Sequence, residues 1–147
     1  MSEKNQLKEG LEFCGPSKTL NDAHFLFFSG LTGDVHPIHY DVVYASSMKF
    51  GRPLAHGLLL ASLTALGASE LRTQIEGFVI VEQGCRYLAP VFINDTIEPR
   101  FVLEKLWSEG HREFCRFKTS LVNQRGEVVL EGFHVYRVIP KKSEEKD

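Results

Sequence analysis

The hydrophobic rhythm of the chain changes once, near residue 77. Ahead of that point the apolar residues recur at helical spacing. Thr19 or Asn21 offers a helix cap and Asp22 puts negative charge in the first turn. Phe25, Phe28 and Leu31 then form an apolar stripe, which Gly30 and Gly33 close. Upstream, Leu11 to Leu20 is interrupted by Gly15-Pro16 and reads as a short edge strand. Asp34 to His39 must be a shaped loop, because Pro37 restricts His36 to extended conformations. Asp41 is placed to cap a short helix through Tyr44 and Ala45, and Phe50-Gly51-Arg52-Pro53 reads as a turn. From His56 to Leu71, Leu58, Leu59, Leu60, Leu63 and Leu66 cover nearly every helical face. That pattern predicts a long helix buried on most sides.

Beyond Glu76-Gly77 the pattern is that of strands. Phe78 to Leu88, Thr96 to Trp107, Arg112 to Val122 and Glu127 to Ile139 are β-rich, and the turns Asn94-Asp95, Glu109-Gly110 and Arg125-Gly126 separate them. In the third run Cys115, Phe117, Thr119 and Leu121 alternate with Arg116, Lys118 and Ser120, the period of a half-buried strand. Helical segments followed by an antiparallel meander predict an α+β fold, with the sheet wrapped around the long helix. The 147 residues fit one domain, 1–147, with 1–8 and 141–147 expected to be flexible. The end strands of such a sheet leave an edge, so a homodimer is expected.

Composition narrows the function classes. Lys and Arg total 17, Asp and Glu 19, and the net charge is -2, which argues against nucleic acid as a partner. The longest apolar run, around Leu58 to Leu60, is too short to span a bilayer, and Met1 to Lys8 lacks the apolar core of a signal peptide. No membrane partner and a cytoplasmic location are therefore expected. Cys14, Cys85 and Cys115 are far apart and form no C-x-x-C pair, so they suggest free thiols.

The candidate chemistry lies in Gly33-Asp34-Val35-His36-Pro37-Ile38-His39, one carboxylate and two imidazoles around a proline. Adding water to an activated double bond needs a base near the water and an acid near the α-carbon. Asp34 and His39 can hold one water between them. Negative charge on a carbonyl oxygen needs a hydrogen-bond donor, and Gly57, at the start of the apolar helix, supplies a backbone N–H with no side chain in the way. His36, His56 and Ser62 are the candidate substrate-binding residues. Asp34, His36 and His39 also form a conceivable two-histidine, one-carboxylate metal set. Pro37 between the histidines and the lack of a downstream ligand weigh against it, so no metal and no cofactor are expected.

The run Phe28-Ser29-Gly30-Leu31-Thr32-Gly33-Asp34-Val35-His36-Pro37-Ile38-His39 with Tyr44-Ala45 resembles the hydratase motif of the MaoC-like dehydratases and (R)-specific enoyl-CoA hydratases. Gly51-Arg52-Pro53-Leu54-Ala55-His56-Gly57 with the leucines after it resembles that family's entry into its central helix. Arg86-Tyr87-Leu88-Ala89-Pro90-Val91-Phe92 with Asn94-Asp95-Thr96 resembles its characteristic strand and turn. The similarity runs from about residue 11 to 139. It implies a hot-dog fold, a dimer, an acyl-CoA substrate, water activation by Asp34 and His39, and a thioester oxygen held by the Gly57 N–H. Two positions depart from the pattern. His36 stands where the family commonly has Asn, and Ala65 stands near where some members carry a serine. The alternative readings are a hot-dog thioesterase and a non-catalytic thioester-binding subunit. Hydrolysis is disfavoured because the helix carries no carboxylate before Glu70.

Overall fold

The computed structural model describes residues 7–69 and 77–139. Alternating apolar and polar positions build a six-stranded antiparallel sheet of β1 (Glu12–Cys14), β2 (Lys18–Thr19), β3 (Phe78–Tyr87), β4 (Thr96–Glu109), β5 (Arg112–Asn123) and β6 (Val128–Val138). Its order is β1-β4-β5-β6-β3, with β2 also on β4. The four long strands fall where the alternation places them. The Leu11 to Leu20 segment forms two short strands rather than one, both paired to β4 and interrupted at Gly15-Pro16.

Three helices precede the long strands: α1 (Asp22–Thr32), α2 (Val42–Ser46) and α3 (Gly57–Ser62). Asn21 caps α1 by accepting from the Ala23 N–H, and Gly33 ends it in the left-handed region at φ 78°. Gly30 lies inside α1 rather than at its end. Phe25 and Phe28 are buried as expected, but Leu31 is 72% exposed. Counted from Phe25, it falls off the face that Phe28 and Ser29 share. Phe25 and Phe28 join Leu59 and Leu60 of α3 against Ile97, Leu121, Val129 and Leu130 of the sheet. This is the α+β hot-dog arrangement, with the sheet curved about α3.

The central helix is shorter than the apolar run predicts. α3 ends at Ser62, and a separate 3-10 turn spans Leu66–Ala68. The cause is chemical. Ser62 Oγ donates to the Leu59 carbonyl and Thr64 Oγ1 to the Ala61 carbonyl, both at 2.6 Å. These hydroxyls compete with the backbone ladder. The amides of Thr64 and Ala65 turn to the carbonyls three residues back, and Ala65 is extended. Residues 70 and 71, including Glu70, lie outside the described residues. Nor is the helix buried all round, since Leu58 is 72% exposed. It shares its exposure with Val79, Ile80 and Val81 of the edge strand β3, all about half exposed. Among the described residues no helix is long and apolar enough to cross a membrane.

Candidate active site

The loop after α1 is held by its own side chains. Thr32 Oγ1 donates to the Phe28 carbonyl at 2.7 Å and accepts the Asp34 N–H at 3.2 Å. Asp34 Oδ1 accepts the His36 N–H at 3.4 Å. His36 is exposed, and its Nδ1 accepts the Ile38 N–H at 3.3 Å at the start of a 3-10 turn, Pro37–His39. That is the bond an Asn would make at the same place, so the His36 departure preserves the loop's shape. Tyr40 adds a bond from its hydroxyl to the Val35 carbonyl at 2.9 Å.

These bonds present Asp34 beside His39, with Oδ2 and Nε2 3.9 Å apart. His39 Nδ1 donates to the Leu54 carbonyl at 2.6 Å. A carbonyl only accepts, so the proton sits on Nδ1 and the neutral ring offers a lone pair at Nε2. Two acceptors therefore face each other across a gap too long for a direct bond. A water donating one hydrogen to each fits this pair, and its own lone pairs stay free to attack. Asp34 is about half exposed and His39 11%, so the pair is open to solvent on the carboxylate side.

His56 lies behind this pair. It is 2% exposed, and its ring stacks on His39 with centroids 3.6 Å apart and 19° between planes. Phe25 and Phe28 border it. Its Nε2 lies 2.9 Å from Ser29 Oγ and 3.4 Å from the Asp34 carbonyl. The Asp34 carbonyl needs a donor, which puts the proton on Nε2 and leaves Nδ1 a bare, buried acceptor. His56 thus holds the backbone of Asp34 and the ring of His39 at once. Its link to Ser29 runs over 27 positions. The sequence marks it as a candidate substrate-binding residue ahead of an apolar helix, with no sign of these contacts.

Gly57 opens α3 as expected, and its amide is one of the helix's unpaired first-turn donors. A Cβ there would meet the Tyr87 ring at 3.3 Å, so the missing side chain lets Tyr87 lie against the start of α3. No local signal in the sequence marks Tyr87 as a site residue. Ser62 lies one helix length away, exposed, with its hydroxyl turned to Leu59.

The structure assembles a metal-like set other than the one in the loop. Asp34, His39 and His56 place donor atoms within 4.8 Å of one another, and His36 is not among them. The rings of His39 and His56 are stacked and nearly parallel. A metal needs donors converging on a point, and His56 Nε2 already meets Ser29 Oγ and the Asp34 carbonyl.

Burial, reinforced by His39, pushes the His56 imidazole below its ordinary value of 6.5, and burial does the same at His134. Below pH 6.5 the unfolded chain charges these rings while the folded chain keeps them neutral. The unfolded state therefore binds more protons, and stability falls as pH drops through that window. The melting temperature is expected to be lower at pH about 5.5 than at about 7.5; equal values would contradict this assignment.

Comparison with known proteins places the chain in a family. The model of the MaoC like domain matches residues 4–124. An (R)-specific enoyl-CoA hydratase of Rhodospirillum rubrum is 31% identical over 128 residues, covering 86% of this chain and 84% of the relative. A 3-hydroxybutyryl-CoA dehydratase of Methylorubrum extorquens is 33% identical over 129 residues, covering 86% and 78%. The solved structure of an (R)-hydratase from A. caviae involved in PHA biosynthesis superposes with a TM-score of 0.81 at 26% identity, covering 92% of this chain and 99% of that one. The chain belongs to the MaoC-like domain family.

Proposed function

We propose that the protein is an enzyme, a hydratase/dehydratase that adds or removes water across the 2,3 bond of an acyl thioester, interconverting trans-2-enoyl-CoA and (R)-3-hydroxyacyl-CoA. The observation that carries this reading is the facing pair of acceptors, Asp34 Oδ2 and His39 Nε2, with the His39 tautomer set by Leu54. The relatives named as enoyl-CoA hydratase and hydroxybutyryl-CoA dehydratase support it.

In the hydration direction the thioester carbonyl accepts from the Gly57 N–H. Asp34 takes a proton from the held water as the oxygen bonds C3. The C2–C3 π electrons move onto the thioester as an enolate, whose oxygen carries the charge that the Gly57 donor stabilises. The proton held by the pair returns to C2, so one water is consumed and no other reactant is needed. No cofactor and no metal take part. The acyl-CoA is the substrate.

The reading extends to assembly. β3 is the sheet edge beyond β6, and Val79 and Val81 on it are each 53% exposed. An exposed apolar edge seeks a partner strand. A homodimer pairing two β3 edges supplies it, and light scattering should give twice the chain mass; a monomer would contradict this part alone.

The test of function is product identity. Crotonyl-CoA should yield 3-hydroxybutyryl-CoA whose hydrolysed acid is the (R) enantiomer by chiral chromatography. No turnover of crotonyl-, branched or dicarboxylic enoyl-CoAs in either direction would overturn the reading, and release of free thiol would favour a thioesterase.

A further inference from the structure

A cavity of about 480 Å³ opens beside the far end of α3, within the size range of small-molecule sites. Ala65, Leu66, Phe78 and Ile80 give it apolar walls, and Ser62, His134 and Tyr136 add three polar side chains. The polar groups are not incidental. His134 is 5% exposed and Tyr136 7%. Thr64, 1% exposed, joins them: its Oγ1 lies 3.0 Å from His134 Nε2, and His134 Nδ1 lies 2.9 Å from Tyr136 Oη.

The direction of every proton in this chain follows from its first bond. Thr64 spends its hydrogen on the Ala61 carbonyl, so it accepts from His134. His134 then carries its proton on Nε2 and bares a lone pair at Nδ1. Tyr136 must donate to that lone pair. Burial holds the His134 ring neutral and pushes the Tyr136 hydroxyl up to about 12, with Cys115 adding to the rise and the Leu66 backbone opposing it. The phenol therefore keeps its proton and spends it inside the network. Ser62 likewise spends its hydrogen on Leu59. Among the described residues, the hydrogen-bonding capacity left over at Ser62 Oγ, and at Tyr136 Oη beyond the bond it accepts from the Leu66 backbone, is for accepting. An apolar tail lying there leaves those lone pairs without a donor, whereas a ligand hydroxyl satisfies one.

We infer that this cavity receives the acyl tail of the substrate and selects tails that carry a hydroxyl group over plain alkyl tails of the same length. The inference rests on the hydratase reading for the direction of the substrate. With the thioester at Gly57, Ser62 stands five residues along the same helix, about 7.5 Å at 1.5 Å per residue, within reach of an acyl chain of about six carbons.

The test separates binding from turnover. Calorimetry on the purified full-length chain measures the Kd of 6-hydroxyhexanoyl-CoA and of hexanoyl-CoA, saturated compounds that cannot be hydrated. The hydroxylated compound is expected to bind about three- to tenfold tighter, the scale of one net hydrogen bond. Tyr136→Phe and Ser62→Ala should each lower that ratio, and Ser62→Ala carries the comparison if Tyr136→Phe does not fold. Equal or weaker binding of the hydroxylated compound by the unaltered chain overturns the inference, as does a ratio unchanged in every folded variant. A threefold or greater ratio without any hydration of crotonyl-CoA would sink the hydratase reading and leave the cavity's selectivity standing. Hydration of crotonyl-CoA with a ratio of one would do the reverse.

Discussion

Asp34→Asn is expected to lower kcat for crotonyl-CoA hydration at least about a hundredfold, the usual scale for one acid–base group. Asn keeps the shape of Asp34 and keeps an oxygen for the His36 N–H. What it loses is the capacity to take a proton from water. The side chain is 52% exposed, so the melting temperature should move by no more than about 3 °C, as for other surface substitutions. A loss in kcat with an unmoved melting temperature and little change in KM marks a group needed in the transition state. Activity within about threefold of the unaltered chain would remove Asp34 from the mechanism.

His39→Ala is expected to cost about a thousandfold in kcat, inside the range for positioned acid–base side chains. It removes the Nε2 acceptor, leaves the Leu54 carbonyl without its donor and takes away the ring that stacks on His56. Because Asp34 and His39 share one water in this account, their losses should not multiply. Asp34→Asn combined with His39→Ala should be slower than the worse single variant by no more than about tenfold. Fully multiplicative losses would mean that the two residues act on different steps.

Much of the fold is legible in the chain because its signals are local. The alternation around Cys115 to Leu121 and the turns at Asn94-Asp95, Glu109-Gly110 and Arg125-Gly126 each sit inside one strand or one connection. The caps at Asn21 and Asp41 act within three residues. The length of the central helix is not legible in the same way, because a leucine count cannot see two hydroxyls tying themselves to the backbone at Leu59 and Ala61. The site divides the same way. Asp34 and His39 share a loop and a motif, so they stood out together. His56 reaches Asp34 across 22 positions, and its stacking on His39 needs the fold to bring α3 beneath the loop. His134 carried no local signal, because its partner Thr64 is 70 positions away and the two meet only where β6 passes α3.

Addition of water to an intact enoyl thioester at this loop can be followed in labelled solvent. The decisive experiment is incubation of the purified chain with crotonyl-CoA in water labelled with oxygen-18, read by mass spectrometry of the CoA species. An intact hydroxyacyl-CoA carrying one labelled oxygen is expected, formed at a rate that Asp34→Asn nearly abolishes. Free CoA beside labelled crotonate, or crotonyl-CoA left unchanged, would contradict it.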